Sequence, residues 1–411
     1  MAPATCRACN TPLRHSFVDL GMSPLCESYL RAEQLNAMEP FYPLHAYVCD
    51  QCWLVQLQAY VSGEAIFSDY AYFSSYSDSW VLHARRYVDA MASRFGLDRS
   101  SMVIEVASND GYLLQHVVAA GIPCLGIEPA ANVAQVAIER GVPTEVHFLG
   151  EETATDIVKR HGRADLVAAN NVFAHVPDLN DFTAGLAILL NPTGVLTIEV
   201  PHLVKLVEQN QFDTIYHEHF CYYSLVAAER VLARHGLAVF DVEELPTHGG
   251  SLRYFVRHAA DNLKPVEARV TELRTRERSL GVESLAYYRD FTARVEETKR
   301  QLLTFLIDAR RSGARVVGYG APGKGNTLLN YCGIRTDLLE YTVDRSPHKQ
   351  GLFLPGTHIP IHHPDRIRED KPDFVLLLPW NLQDELVEQL SYVREWGGKF
   401  VVPIPETKVL T

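Results

Sequence analysis

Positive charge is scarce in this sequence. Its 38 lysines and arginines face 50 aspartates and glutamates, a formal net charge of −12. General nucleic-acid binding needs a basic surface to meet the phosphates, so no nucleic-acid partner is expected and any positive field must be local. Long apolar runs are missing too, and no uninterrupted stretch approaches the ~20 residues that cross a bilayer. The first residues, Met1 to Cys6, carry neither the basic nor the apolar region that a secretory leader requires. No membrane attachment is expected, and the cytoplasm is the expected compartment. Cysteine is present, but eight in a chain of 411 residues do not suggest a disulfide framework. With 47% hydrophobic and 21% charged residues the composition is that of a folded globular protein. The length calls for two or three domains rather than one core.

Four of the cysteines form two C-x2-C pairs, Cys6-Arg-Ala-Cys9 and Cys49-Asp-Gln-Cys52. Each pair can turn tightly enough to present two thiolates to one ion, and two pairs complete a tetrahedron. Four separate buried cysteines are the plainer alternative, but matched pairs favour Zn2+. Four protein ligands leave no position for water, so the predicted role is structural. Cys26, Cys124, Cys221 and Cys332 lack partner spacing and read as packing residues.

From about residue 100, short β-rich runs alternate with helical segments. Residues 102–107, 123–128, 165–170 and 193–200 read as strands, with 237–244 and 252–257 after them. That alternation predicts an α/β fold, a mostly parallel sheet with helices on both faces and ligands at the carboxyl ends of its strands. The first strand carries Glu105 and runs into Ser108-Asn109-Asp110-Gly111, whose glycine lets backbone approach a ligand closely. Glu128 ends the second strand, where a carboxylate can accept both hydroxyls of a ribose. This loop has one glycine where G-x-G-x-x-G has three, and acids where a pyrophosphate would lie. A cationic sulfonium cofactor, S-adenosyl-L-methionine, is therefore expected in preference to a dinucleotide. The alternative is a fold of this kind that binds nothing.

Residues 263–312 read as a charged helical connector. A strand at 315–317 then leads into Gly318-Tyr-Gly320-Ala-Pro-Gly323-Lys324-Gly325-Asn326, which does match G-x-G-x-x-G, and Asp344 ends the next strand. Taken alone, this predicts an NAD(P)-dependent oxidoreductase. Pro322 within the turn and the point charge of Lys324 equally suit the diphosphate of a nucleotide-linked substrate, and a purely structural turn is a third reading.

Tyr216-His217-Glu218-His219 is dense in acid/base groups, and Asn170-Asn171-Val-Phe-Ala-His175 brings another histidine to the ligand edge. Histidine titrates near neutral pH, which suits proton abstraction. Two histidines at i, i+2 without a third ligand in register are a weak metal signal. Tyr70 and Tyr72 belong to an aromatic stretch that either packs a seam between domains or closes an active site.

Together these residues resemble the sugar C-methyltransferases of deoxysugar and antibiotic biosynthesis, of the tetronitrose-pathway type. The resemblance covers essentially the whole chain and is carried by the paired cysteines, residues 103–111, Asn170 to His175, Tyr216 to His219, His248-Gly-Gly-Ser251 and Gly318 to Asn326. It implies a zinc-binding domain over 1–68 and a class I S-adenosylmethionine-dependent methyltransferase domain with a Rossmann-like core over 69–262. A helical connector and second Rossmann-like α/β domain that binds the nucleotide sugar would occupy 263–411. The implied reaction is methylation at C3 of a dTDP-linked, 3-amino, 4-keto-2,3,6-trideoxyhexose through an enolate, by an enzyme that can be a monomer. O- or N-methylation is the alternative within methyltransferases, and a zinc-dependent binding protein with an inactive core the alternative outside them. The resemblance implies His219 as base, Tyr216 and His175 as stabilisers of the enolate oxygen, Glu218 as an orienting group and Tyr70 in the pocket wall. The cofactor would meet Glu105, Ser108, Asn109, Asp110, Gly111, Glu128, Asn170 and Asn171. Lys324, Asn326, Gly323, His248 and Ser251 would meet the nucleotide sugar.

Overall fold

The computed structural model describes residues 4–63 and 73–410; Tyr70 and Tyr72 lie outside the described residues. The chain falls into two compact units. The first comprises the described residues within Met1–Arg14, Val48–His202 and Phe220–Ser284, the second those within His15–Tyr47, Leu203–His219 and Leu285–Thr411.

The first unit is organised by seven strands: β1 (Val103–Val106), β2 (Cys124–Ile127), β3 (Thr144–Glu145), β4 (Ala164–Asn170), β5 (Leu190–Pro201), β6 (Leu237–Leu245) and β7 (Ser251–His258). Their order across the sheet is β3-β2-β1-β4-β5-β7-β6. β1 to β5 run parallel, and β7 is inserted antiparallel to both its neighbours. Every residue of β1 is buried, as expected of a parallel strand covered on both faces. Its side chains divide between two cores, Val103 with Tyr87, Met91 and Leu113 on one face, Ile104 and Val106 with Leu125, Val167 and Leu186 on the other. One covering helix, Asp78–Phe95, starts where Ser77 accepts the Trp80 N–H and stops at Gly96 in left-handed backbone. It turns Ala84, Tyr87, Val88 and Met91 inward, the i, i+3, i+4, i+7 spacing of a helix with one buried face. Two further short strands, Val55–Leu57 and Cys221–Tyr222, pair antiparallel beside the cysteine turns.

The second unit carries the other sheet, with β8 (Val316–Tyr319), β9 (Thr342–Val343), β10 (Ile361–His362), β11 (Phe374–Leu377), β12 (Lys399–Val402) and β13 (Lys408–Leu410). The order is β10-β9-β8-β11-β12-β13, parallel except at β13. The expected connector is helical. Its segment Ala268–Leu280 belongs to the first unit and Phe291–Arg311 to the second. Phe291–Arg311 buries Phe291, Val295, Thr298, Leu302, Leu306 and Ala309, and Phe291 stacks on Phe17 with centroids 4.5 Å apart. No described helix is long and apolar enough to cross a membrane.

Candidate active site and zinc centre

The cysteine centre is built from two copies of one turn. Cys6 N–H donates to Thr11 O at 2.8 Å and Asn10 N–H to Cys6 O at 2.9 Å; likewise Cys49 N–H donates to Leu54 O and Trp53 N–H to Cys49 O, both at 3.0 Å. Asn10 and Trp53, each following the second cysteine of its pair, both take left-handed backbone, φ 60° and 63°. The sulfurs of Cys6, Cys9, Cys49 and Cys52 lie within 4.8 Å of one another, with 3.4 Å between Cys6 and Cys52 and 3.5 Å between Cys9 and Cys49. Four sulfurs at ~2.3 Å from a tetrahedral zinc are ~3.8 Å apart, so the donor set fits that ion. Sequence reasoning missed Gln56. Fully buried, it aims its side-chain N–H at Cys6 Sγ at 3.2 Å and accepts Arg7 N–H at 2.9 Å, an outer contact that orients the ligand.

At the carboxyl end of β1, Ala107, Asn109 and Gly111 all take left-handed backbone. A Cβ on Gly111 would meet Val142 Cγ2 at 3.0 Å, so glycine is required by space as well as by φ. Glu128 staples this loop from beyond β2. One carboxylate oxygen accepts Asn109 N–H at 2.8 Å and the other Ala130 N–H at 2.9 Å. Each oxygen keeps a second lone pair. Burial raises the Glu128 pKa, opposed by these two N–H groups. Asn109 Oδ1 accepts Ser74 N–H at 2.8 Å. Asp110 pairs with Arg140 at 3.1 Å and accepts the Ser75 hydroxyl. Burial pushes the Glu105 carboxyl well above the usual carboxylate range, against a hydrogen bond from Tyr112. The free negative pair that the sequence suggested for a sulfonium is therefore not what the fold provides. Burial holds Glu105 toward its neutral form, and Asp110 is neutralised by Arg140, a partner thirty positions away with no local signal.

His175 closes the short turn Phe173–His175 just after β4, half-buried. His248, φ 54°, sits in the β6–β7 turn with its ring 5.3 Å from Trp80. Ser251 opens β7 and donates to Thr247 O at 3.0 Å. Thr247 in turn donates to Glu199 at 3.0 Å. Glu199 is buried, yet the His83 hydrogen bond and the Arg253 charge outweigh burial and hold it at about 2.

In the second unit, Tyr216 and His219 form a dyad, with Tyr216 Oη 2.9 Å from His219 Nε2. His219 Nδ1 lies 2.9 Å from Thr214 O. A carbonyl only accepts, so Nδ1 carries the proton and Nε2 the lone pair, which receives the Tyr216 hydroxyl. Buried Glu218 accepts the Cys26 thiol at 3.6 Å. His217 is occupied elsewhere, donating to Pro43 O at 3.2 Å, and burial lowers its pKa.

The second glycine loop joins β8 to the helix Gly323–Cys332. Ala321 N–H donates to Asp344 at 2.6 Å, and Ala321 O accepts Tyr29 at 2.6 Å and Lys349 at 2.9 Å. Gly320, φ 88°, has Pro379 2.7 Å from where a Cβ would stand, and Gly323 has Cys26 Sγ at 2.9 Å. Lys324 donates to Asn381 at 2.8 Å and lies 4.8 Å from the Trp380 ring centroid. Asn326 donates to Cys26 O at 2.6 Å. The glycines thus serve close packing within this unit.

Comparison with known proteins fixes the family. Residues 246–405 match the profile of the C-methyltransferase C-terminal domain, 80–242 a methyltransferase domain and 6–67 a zinc-binding domain. The C-methyltransferase NovU of Streptomyces niveus is 38% identical over 406 residues, 99% of this chain and 96% of that protein. The chain belongs to the S-adenosylmethionine-dependent C-methyltransferases. Solved structures with a partial likeness include a methyltransferase from Anabaena variabilis (15% identity, TM-score 0.36, 44% of this chain and 86% of that one). Another is magnesium protoporphyrin IX methyltransferase from Synechocystis (14%, 0.35, 43% and 83%).

Membership of the C-methyltransferases sets aside the oxidoreductase reading of the second glycine loop and the O- and N-methylation alternatives. S-adenosylmethionine and structural zinc are the cofactors of this C-methyltransferase. The residues of the first unit suit the organic cofactor. β1 leads to β2 on one side while β4 lies on the other, the switch point where such sheets bind ligands. Around it Ser108 Oγ, Asp110 Oδ1, Asn170 Oδ1 and both amide atoms of Asn171 are buried with no hydrogen-bond partner among the described residues. Buried polar atoms are satisfied in native proteins, so this concentration marks groups kept for a polar ligand.

Proposed function

We propose that this C-methyltransferase methylates C3 of a dTDP-linked 4-keto-2,3,6-trideoxyhexose bearing a 3-amino group. The observation that carries the reading is the Tyr216–His219 dyad. Its tautomer, fixed by Thr214 O, puts the lone pair on Nε2, where it accepts the Tyr216 hydroxyl at 2.9 Å. A carbon acid needs such a base, whereas an amine or hydroxyl is already nucleophilic. When bound, S-adenosylmethionine would supply an electrophilic methyl carbon, its sulfur leaving with the bonding electron pair. As the Tyr216 hydroxyl turns from Nε2 to the 4-keto oxygen, His219 Nε2 takes the C3 proton and the electron pair moves onto that oxygen. Tyr216 donates to that enolate oxygen and Glu218 orients a neighbour; the resemblance adds His175 as a second stabiliser and Tyr70 as a further catalytic-site residue. C3 then forms the bond to the methyl carbon. Glu128 receives the cofactor ribose with its remaining lone pairs. Lys324 and Asn326 meet the dTDP moiety: Lys324 keeps N–H donors beyond the one given to Asn381, and Asn326 Oδ1 is buried without a partner among the described residues. Gly323, His248 and Ser251 complete the proposed substrate contacts.

Incubation with labelled S-adenosylmethionine and paired 3-amino and 3-hydroxy dTDP-4-ketosugars, with NMR location of the methyl, tests the reading. The 3-amino sugar should acquire the label at C3. Without S-adenosylmethionine, the C3 proton should exchange with solvent, and His219→Asn should slow both reactions by about 10²–10⁴. Full exchange in that variant would refute His219 as the base.

A further inference from the structure

The turn Phe212–Thr214 holds the carbonyl that His219 Nδ1 faces at 2.9 Å, and it is entirely buried. The proposed chemistry makes no use of Asp213, Thr327 or Trp380, yet these residues of the second unit grip the turn. Trp380 Nε1–H donates to Asp213 Oδ2 at 2.6 Å. Thr327 Oγ1–H donates to Ile215 O at 3.1 Å, directly after the turn. Thr214 Oγ1–H closes the turn on Gln211 O at 2.8 Å. Lys324 sits over the Trp380 ring, 4.8 Å from its centroid, and so holds the indole from its face. These contacts leave the Thr214 carbonyl little freedom of direction.

We propose that Trp380, Asp213 and Thr327 are positioning residues for His219, clamping the Thr214 carbonyl so that the imidazole keeps its Nδ1–H tautomer and presents Nε2 as base. The inference rests on the reading of His219 as the proton acceptor. A base displaced by ~1 Å, or held in the other tautomer, loses rate without losing substrate. The charged and titratable groups around the dyad are His217 and Glu218 on its own segment, Cys26 against Glu218, and Asp213 with Lys324 behind the turn.

Trp380→Phe and Thr327→Val each remove one donor and keep the bulk, while Asp213→Asn keeps an acceptor for the indole and serves as the conservative control. In the full-length zinc-loaded enzyme, both donor deletions should lower kcat and C3 proton exchange tenfold or more. KM for the sugar and Kd for S-adenosylmethionine should stay within twofold. The pH of half-maximal rate should shift, and Asp213→Asn should retain most activity at neutral pH. 15N NMR of the His219 ring should show one Nδ1–H tautomer in the parent and a mixture in the two variants. An unchanged tautomer and rate in both would overturn the clamp, even in a variant with a lowered Tm. A mixed tautomer with an unchanged rate would instead overturn the reading of His219 as base.

Discussion

Replacing Glu128 by alanine separates the loop contacts seen in its geometry from the ribose contact proposed for it. The carboxylate accepts two backbone N–H groups, Asn109 at 2.8 Å and Ala130 at 2.9 Å, and is only 4% exposed. Losing hydrogen bonds to a charged acceptor costs ~1.5–3 kcal/mol each, partly recovered where water enters. Unliganded protein should therefore melt a few degrees lower. The proposed ribose contacts are a separate quantity. Loss of ~1.5–3 kcal/mol from charge-assisted bonding, at ~1.4 kcal/mol per decade, should raise Kd for S-adenosylmethionine about ten- to a hundredfold. Titration calorimetry with S-adenosylhomocysteine, beside thermal melting of the same preparation, reads both. Glu128→Gln should lie between the two, since its amide can accept one N–H but carries no charge. A Kd within twofold of the parent, with Tm clearly reduced, would show that Glu128 only staples the loop and that the ribose assignment is wrong.

Two further predictions concern stability. Chelation of zinc should unfold the segment that carries Cys6, Cys9, Cys49 and Cys52, seen as a lower first melting transition restored by added zinc; an unchanged melt in metal-free protein would refute a structural ion. Burial raises Asp213 from 3.8 to about 6, against the Lys324 charge and the Trp380 hydrogen bond. The folded state therefore binds more protons than the unfolded one between these values, and stability falls as pH rises through that window. The loss is on the order of 3 kcal/mol and is complete above pH ~6. Asp213→Asn should lack this slope, so parallel stability curves for the two proteins between pH 4 and 7 would refute it.

The sequence made the periodic parts of the fold legible, because alternation and apolar runs report burial directly. Six of the seven strands of the first sheet were marked this way. β3, only Thr144 and Glu145, is too short and too polar to leave a pattern. The cysteine pairs announced their own geometry, since two ligands on one tight turn are a local fact. Electrostatics were not legible. Asp110 and Glu105 looked like a negative pair because Arg140 and the depth of burial belong to the tertiary fold. The G-x-G-x-x-G match at Gly318 misled for a related reason. Glycine is demanded wherever backbones approach closely, and here the close partners are Pro379 and Cys26. His217 and His219 are equivalent in sequence, and their tertiary partners tell them apart: Pro43 O for His217, Thr214 O and the Tyr216 hydroxyl for His219.

The chain passes between its two units five times, at residues 14/15, 47/48, 202/203, 219/220 and 284/285. During synthesis the consequence is one of timing. Segments 15–47 and 203–219 emerge long before the residues that complete their unit, and Thr327 and Trp380 arrive only near the end. The segment bearing His219 must wait for them, so a ribosome-bound or C-terminally truncated chain has the proposed base in place in the sequence but not yet in register. Activity should then appear all at once on release of the full chain, and no truncation at a domain boundary would preserve it.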